Sequence, residues 1–262
     1  MKLKIEPGHS TAYPFNVQYR IGRIAEYIYG GHWLDYGCAD GGYTSALLTA
    51  GPATVSGVDV IPDRIEAARK AYPGINFYVS SDARLPFPGN SFDGVFMNEV
   101  FEHLADEAQT LKEIHRLLRP KGRLIIISPN RGFPFEGHTV HIGSWTSSAP
   151  TPIIPWLPKL LTDRWVTARN YWPKQLRRKI GSGGFTIVES GFIMPVFEGY
   201  PWVPTAVAEG FRRHLTRIDH LPGIQRLGVS NLVVAERSEV SMLLSKHSDR
   251  CPLTYDPVKG GR

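Results

Sequence analysis

Glu99, Glu102 and His103 stand at positions i, i+3 and i+4 immediately past an apolar segment. Further along, Glu136-Gly137-His138-Thr139-Val140-His141 supplies two more imidazoles. On a helical turn that spacing brings both carboxylates and the first imidazole to one face. Crowded groups of this kind repel unless they bind a cation or solvent separates them. Glu99, Glu102 and His103, closed by His138 or His141, therefore form a candidate divalent-metal site. Mixed carboxylate and imidazole ligands favour Mn²⁺, Zn²⁺ or Fe²⁺, with Mg²⁺ admissible where water fills positions. Without an ion, His103, His138 or His141 can serve as a general base. A third alternative is structural, with the histidine orienting neighbours or capping a helix.

A second constellation lies upstream, in Trp33-Leu34-Asp35-Tyr36-Gly37-Cys38-Ala39-Asp40-Gly41-Gly42-Tyr43-Thr44. An apolar strand runs into glycines and then into a predicted helix at 44–50. Glycines at such a turn supply torsions that other residues resist and let the backbone approach a ligand. A second apolar strand, 54–58, ends in Asp59, 24 residues beyond Asp35. A carboxylate at the tip of the second strand of a parallel sheet can accept hydrogen bonds from both ribose hydroxyls. A nucleoside-containing cofactor across the carboxyl ends of the strands is the expectation.

The dinucleotide fingerprint G-x-G-x-x-G does not fit, because an acid opens this turn and the pattern is D-x-G-x-A-x-G. That pattern resembles the first motif, D/E-x-G-x-G-x-G, of class I S-adenosylmethionine-dependent methyltransferases, with Ala39 in place of the middle glycine. The resemblance implies that Asp35 faces the amino-acid end of the cofactor. Gly37, Cys38, Ala39 and Gly41 would form the turn against it, and Asp59 with Val60 would hold the ribose. Asp82 and Ala83, after a third strand at 75–79, would meet the adenine, and Asn98 would complete the set at the end of the fourth strand.

Later motifs keep the same order. Ser91-Phe92-Asp93-Gly94-Val95-Phe96-Met97 reads as the fourth strand, and Arg119-Pro120-Lys121-Gly122-Arg123 turns into the fifth at 124–128. Segments 184–189 and 231–235 read as a closing antiparallel pair. Strands alternating with short helices imply an α/β, doubly wound, seven-stranded, mostly parallel sheet. The expected organisation is one domain over 1–238. Residues 1–30 would supply an N-terminal lid (His9, Tyr13) and a helix at 21–29. Residues 129–183 form a proline-rich substrate-side insertion, 193–228 form another between strands six and seven, and 239–262 a mobile tail.

Composition narrows the setting. There is no charged start followed by an apolar run, and no uninterrupted apolar stretch of about 18 residues. Cys38 and Cys251 offer neither a disulfide framework nor metal-ligand spacing. A cytoplasmic enzyme is expected. Thirty basic residues against 24 acidic give a net charge of +6. Lys174, Arg177, Arg178 and Lys179 form one basic cluster, and Arg212, Arg213 and Arg217 another. Each is either a solvated helix face or an attraction for an anionic partner: lipid headgroups, a diphosphate-bearing substrate or RNA. Val207, Phe211, Leu215 and Ile218 mark one apolar helix face, which either packs on the domain or rests on an anionic membrane.

The E-x-x-E-H pattern is similar to that of metal-dependent small-RNA 2′-O-methyltransferases and of quinone-pathway O-methyltransferases. The segment from Pro129 to His138, and more loosely 169–185, resembles methyltransferases encoded with glycan-assembly enzymes. The resemblance implies methyl transfer to a hydroxyl of a sugar, glycan or glycolipid. Trp145, Trp156, Trp165 and Trp172 are available to stack on sugar rings, with core packing as the alternative for at least two of them. A quinone or polyphenol acceptor is the rival, favoured by the apolar density at 153–161. An RNA acceptor lacks a recognisable binding module. A silent cofactor-binding subunit is the reading outside catalysis.

Overall fold

The computed structural model describes residues 14–147, 150–197, 200, 203–219, 221 and 223–239, with the side chains of 14 and 216–218 excepted. His9, Tyr13, Cys251, the side chains of Arg217 and Ile218, and the tail beyond 239 lie outside the described residues.

Seven strands form one sheet: β1 (His32–Tyr36), β2 (Thr54–Asp59), β3 (Asn76–Val79), β4 (Phe92–Asn98), β5 (Leu118–Pro129), β6 (Phe185–Ile193) and β7 (Ser230–Arg237). Their order across the sheet is β6-β7-β5-β4-β1-β2-β3. Pairing is parallel throughout except along β7, which runs antiparallel to both β5 and β6. The chain winds outward from β1 in one direction to β3, then returns to lay β4 on the other side of β1. Ligands of open α/β sheets bind at the carboxyl ends of the strands beside such a reversal.

The strands alternate strictly because both faces are covered. Leu34, Val95, Met97, Leu124, Ile126, Val233 and Ala235 enter one core with Leu111, Ile114 and Leu117 of α4 (Glu107–Leu117) and Leu176 and Ile180 of α6 (Pro173–Ser182). Their neighbours Trp33, Phe96, Ile125, Ile127, Leu232 and Val234 enter the other. That second core is covered by α1 (Pro14–Ile24), α2 (Gly42–Thr49) and α7 (Thr205–Ile218). Helix α4 starts where Asp106 accepts a hydrogen bond from the Gln109 amide at 2.9 Å, satisfying one orphan donor. Helix α6 starts at a proline, which needs no amide there. Helix α3 (Pro62–Ala71) packs Ile65 and Ala68 on Phe77.

Several boundaries differ from expectation. The first helix runs over 14–24, not 21–29, and ends in a single tight turn, Ala25–Tyr27. Tyr19, Ile21 and Ile24 supply its buried face, so the apolar pattern begins earlier than the stretch before β1 suggested. Strand β5 starts at Leu118, with Lys121 left-handed at φ 63° where the chain bulges. Residues 130–172 are built from short pieces. Phe135–Glu136 pairs with Thr151–Pro152, Val140–Ile142 pairs with Trp145–Ser147, and α5 (Lys159–Trp165) follows. Val140, Ile154, Val166 and Ala168 give this cap a small core of its own, with Trp165 packed against it. Trp145, Trp156 and Trp172 are exposed, so only one of the four cap tryptophans takes the packing role expected of at least two.

Helix α7 turns Ala208, Phe211 and Leu215 to the core, whereas Val207 is 59% exposed. The buried stripe therefore includes Ala208 in place of Val207. Arg212 donates to the Val196 carbonyl at 3.2 Å and lies over the Phe15 ring. Phe211 and Leu215 of this helix are already packed against the protein.

Candidate functional site

The turn after β1 is fastened to the neighbouring strand. The amides of Gly37 and Cys38 both donate to the Val58 carbonyl, at 2.7 and 3.0 Å. Gly37 and Gly41 are left-handed, each with φ 83°. A Cβ on Gly37 would lie 2.4 Å from Val100 Cγ2, and one on Gly41 would lie 2.8 Å from the Phe77 ring. Packing within the protein is thus by itself a reason for both glycines, alongside the cofactor approach that the turn motif implies. Ala39 is also left-handed, at φ 48°, and its amide donates to Asp59 Oδ2 at 2.9 Å. Asp59 Oδ1 accepts from the Ile61 amide at 2.9 Å. Cys38 is buried beneath the turn, and burial pushes its thiol pKa up, away from reactivity.

Asp35 is buried at the end of β1, with Oδ2 accepting from the Thr44 hydroxyl of α2 at 2.7 Å. Burial, reinforced by nearby Asp59, pushes its pKa up to about 7 against the Thr44 hydrogen bond. Neither Asp35 nor Asp59 has an ion-pair partner among the described residues. Val60, Asp82 and Ala83 are exposed in the loops after β2 and β3, with the Asp82 amide donating to Ser80 Oγ at 3.3 Å. Asn98 ends β4 and accepts from Arg20 Nη1 at 2.7 Å.

Beyond Asn98 the chain does not continue as a helical turn. Glu99 is left-handed at φ 53°, and only Phe101–His103 forms a short tight helix. The two glutamates consequently take different hydrogen-bond donors. Glu99 Oε1 accepts from Arg20 Nη1 at 2.7 Å and from Ser230 Oγ at 2.5 Å. The Arg20 guanidinium and Ser230 hold Glu99 below the usual carboxylate range despite burial. Glu102 Oε2 accepts from Ser128 Oγ at 3.0 Å, while its buried Oε1 has no hydrogen-bond partner. Burial and the Glu99 charge push Glu102 well above the usual range.

His103 Nε2 and His138 Nε2 each lie 4.0 Å from Glu102 Oε1, and the two rings meet edge to face at 5.2 Å. Ligating atoms of Glu102, His103 and His138 all lie within 4.8 Å of one another. Glu99 is bound instead by Arg20, and His141 Nδ1 pairs with Thr146 Oγ1 at 3.1 Å in the hairpin, so neither joins that trio. Glu136 Oε1 accepts from the His138 amide at 3.0 Å and sits 2.8 Å from His138 Nδ1, while Asn170 donates to Glu136 Oε2 at 2.5 Å. Glu136 raises the His138 pKa against burial, whereas burial and the neighbouring His138 lower His103 to about 4.

Arg20 and Glu136 are the functional candidates the sequence reading missed. Glu136 stands two residues before His138, and the i, i+2 spacing in an extended segment places both on one side. Arg20 carried no signal beyond a lone cation within the apolar pattern of a helix.

Residues 34–126 match the methyltransferase domain family. In that segment and in its sheet order the chain is similar to the class I S-adenosylmethionine-dependent methyltransferases. Among curated relatives, an O-methyltransferase of Pyrenophora dematioidea is 35% identical over 103 residues, which cover 37% of this chain and 39% of that protein. A demethylmenaquinone methyltransferase of Symbiobacterium thermophilum is 34% identical over 112 residues, 40% of this chain and 45% of that one. The chain spans less than half the length of these curated relatives. In fold it resembles an S-adenosylmethionine-dependent methyltransferase of Mesorhizobium loti, with a TM-score of 0.58 at 18% identity over 84% of this chain and 98% of the other. The cofactor suits the donors present. Asp35 and Asp59 are adjacent carboxylates without a protein cation, and S-adenosylmethionine carries an ammonium and a sulfonium.

Proposed function

We propose that the protein is an S-adenosylmethionine-dependent O-methyltransferase acting on a hydroxyl of a sugar, glycan or glycolipid, with His138 taking the hydroxyl proton. The observation that carries this is the Glu136–His138 pair, in which Nδ1 is tied to a carboxylate and Nε2 is left facing Glu102 Oε1. Bound S-adenosylmethionine supplies a methyl group already activated by its sulfonium. The acceptor oxygen is the inert partner, because a protonated hydroxyl is a poor nucleophile. With Nδ1–H donated to Glu136, the Nε2 lone pair of neutral His138 is free to accept that proton, and Glu136 stabilises the imidazolium that results. The oxygen takes the methyl as the carbon–sulfur bond breaks, and the proton ends on Nε2.

The acceptor class is supported by the lining of a small hollow, about 20 Å³, beside Glu136. Arg131, Lys159 and Asn170 line it together with the acids Glu136 and Asp163, a polar set that suits a hydroxylated acceptor better than a bare quinone ring. The name of the fungal relative supports oxygen as the methylated atom. The demethylmenaquinone relative supports the quinone alternative.

One observation favours a metal-assisted variant. The orphaned Glu102 Oε1, flanked by two imidazole nitrogens, is a donor set that fits a divalent ion held by Glu102, His103 and His138. Such an ion, when bound, would lower the pKa of the acceptor hydroxyl. The test is methyl transfer from labelled S-adenosylmethionine into fractionated sugar, glycolipid and quinone pools, with and without chelator. His138→Ala and Glu136→Gln should lose turnover by about 10²-fold or more while retaining cofactor affinity, and His141→Ala should stay active. Full turnover of His138→Ala would overturn the base assignment. Turnover undiminished by chelator would discard the ion and leave the base.

A further inference from the structure

The cap carries an apolar edge that no part of the described protein covers. Ile153 is 57% exposed, Trp156 54% and Leu160 75%, with Leu161 also exposed, all within nine consecutive residues. The residues between them do the opposite: Ile154 and Pro155 are buried, and Ile154 belongs to the cap core. The segment is therefore a built piece of structure with a dry side and an outward apolar side.

Ile153 shows how firmly that outward set is held. It is left-handed, with φ 71° and ψ −24°, a conformation that a β-branched residue adopts only when its surroundings compel it. Its amide donates to the Pro134 carbonyl at 2.7 Å, which locks the turn and holds the side chain outward. A strained backbone that exposes an isoleucine has no benefit for the fold of the isolated chain.

The charges around this edge identify its partner. Residues 153–172 contain Lys159 and Arg164 beside a single acid, Asp163, while Arg169 is paired with Glu107 at 2.9 Å. Lys159 and Arg164 are exposed and have no ion-pair partner among the described residues. Arg131 lines the same hollow as Lys159 and lies over the exposed Trp172 ring at 6.0 Å, with its own donor on the Leu157 carbonyl at 2.9 Å. Large apolar side chains and tryptophans rimmed by unneutralised cations match the boundary between acyl chains and negatively charged headgroups. A protein partner that met only the cations would leave Ile153, Trp156 and Leu160 in solvent.

We propose that residues 153–161, with Lys159, Arg164 and Arg131 around them, form the surface by which the protein rests on an anionic lipid bilayer. This contact does not depend on which acceptor is methylated. It also places the membrane-facing surface on the cap and away from α7, whose Phe211 and Leu215 are packed against the core.

Sedimentation tests it, using the full chain with vesicles of phosphatidylcholine alone and of phosphatidylcholine with about one lipid in three phosphatidylserine. Binding should require the anionic lipid and weaken as salt rises. Ile153→Ser, Trp156→Ser and Leu160→Ser should each weaken partitioning by about tenfold. Lys159→Glu should weaken it and remove part of the salt dependence. Val207→Ser, an exposed apolar residue on α7, is the control and should bind as wild type. Hydrogen exchange of the wild-type protein gives a second measurement, with vesicles expected to protect residues 153–161. Equal binding to both vesicle types, or wild-type partitioning of the Ile153, Trp156 and Leu160 variants, would overturn the proposal. So would a dimer in vesicle-free solution that these substitutions dissociate, since the edge would then belong to a second copy.

Discussion

Replacing Asp35 by asparagine should stabilise the cofactor-free protein while weakening its hold on cofactor, and the size of the gain should depend on pH. Asp35 is buried, accepts one hydrogen bond from Thr44 and faces no protein cation, so its pKa rises from 3.8 to about 7. That rise corresponds to about 4 kcal/mol of free energy held against the ionised form. The sign follows from proton counting. Between about pH 4 and pH 7 the folded chain retains a proton that the unfolded chain has released, so stability falls as pH rises through that window. Below it both states are protonated and nothing is lost; above it the whole penalty is present. Asp35→Asn still offers Thr44 an acceptor and does not titrate. Its advantage over wild type should therefore be near zero at about pH 4 and grow toward about 4 kcal/mol by about pH 8. Urea unfolding of both proteins over that range, without cofactor, gives the difference directly. Added S-adenosylmethionine should reverse the order at the upper end, because its cationic groups favour the ionised carboxylate. A gap that stays constant with pH, or narrows as pH rises, would refute the assignment of Asp35 as an uncompensated buried acid.

Gly37→Ala places a Cβ 2.4 Å from Val100 Cγ2 at a residue with φ 83°, so thermal unfolding should show a loss of about 2–4 kcal/mol, partly restored by Val100→Ala. An unchanged melting temperature would mean that the glycine serves only a bound ligand. Arg20→Met strands the partly buried Glu99 carboxylate and should destabilise by about 2–4 kcal/mol at neutral pH. The loss should shrink as pH falls, because a protonated Glu99 needs no cation, and chemical denaturation at two pH values checks both claims.

The sheet was legible because its strands are buried on both faces and its turns follow fixed chemistry. Asp35, Gly37, Gly41 and Asp59 announce the first crossover through spacing alone, and the alternation of Leu124, Ile125, Ile126 and Ile127 leaves no doubt about a central strand. The cap was less legible. Its pieces are two or three residues long and take their form from contacts across the chain, such as Ile153 with Pro134 and Arg169 with the Glu102 carbonyl. Nothing in a proline-rich segment gives a period from which those pairings can be read. His138 and His141 were indistinguishable in sequence, and the hairpin that takes His141 to Thr146 is what separates them. Arg20 was hidden for a related reason: its partners, Asn98 and Glu99, are 78 and 79 residues away.

The different donors taken by Glu99 and Glu102 show how one backbone torsion changes the chemistry of a site. On a helical turn both carboxylates would face the histidines together and carry two negative charges into a buried space. With Glu99 at φ 53°, the first carboxylate turns to Arg20 and Ser230 and stays ionised, while the second remains beside the imidazoles. Burial, and after it the ionised neighbour, then pushes Glu102 toward its protonated form. Arg20 offsets the charge on Glu99, so the buried end of β4 is close to neutral even though it contains two acids. This neutrality explains how Glu102 Oε1 can lie buried without a hydrogen-bond donor, a position that a full carboxylate would not tolerate. The same arrangement divides the labour of the site. Glu99 and Arg20 tie the N-terminal helix to the end of β4, and Glu136 orients His138 from the cap. The edge between them is where Glu102, His103 and His138 face one another, and it is there that an acceptor hydroxyl would meet a base.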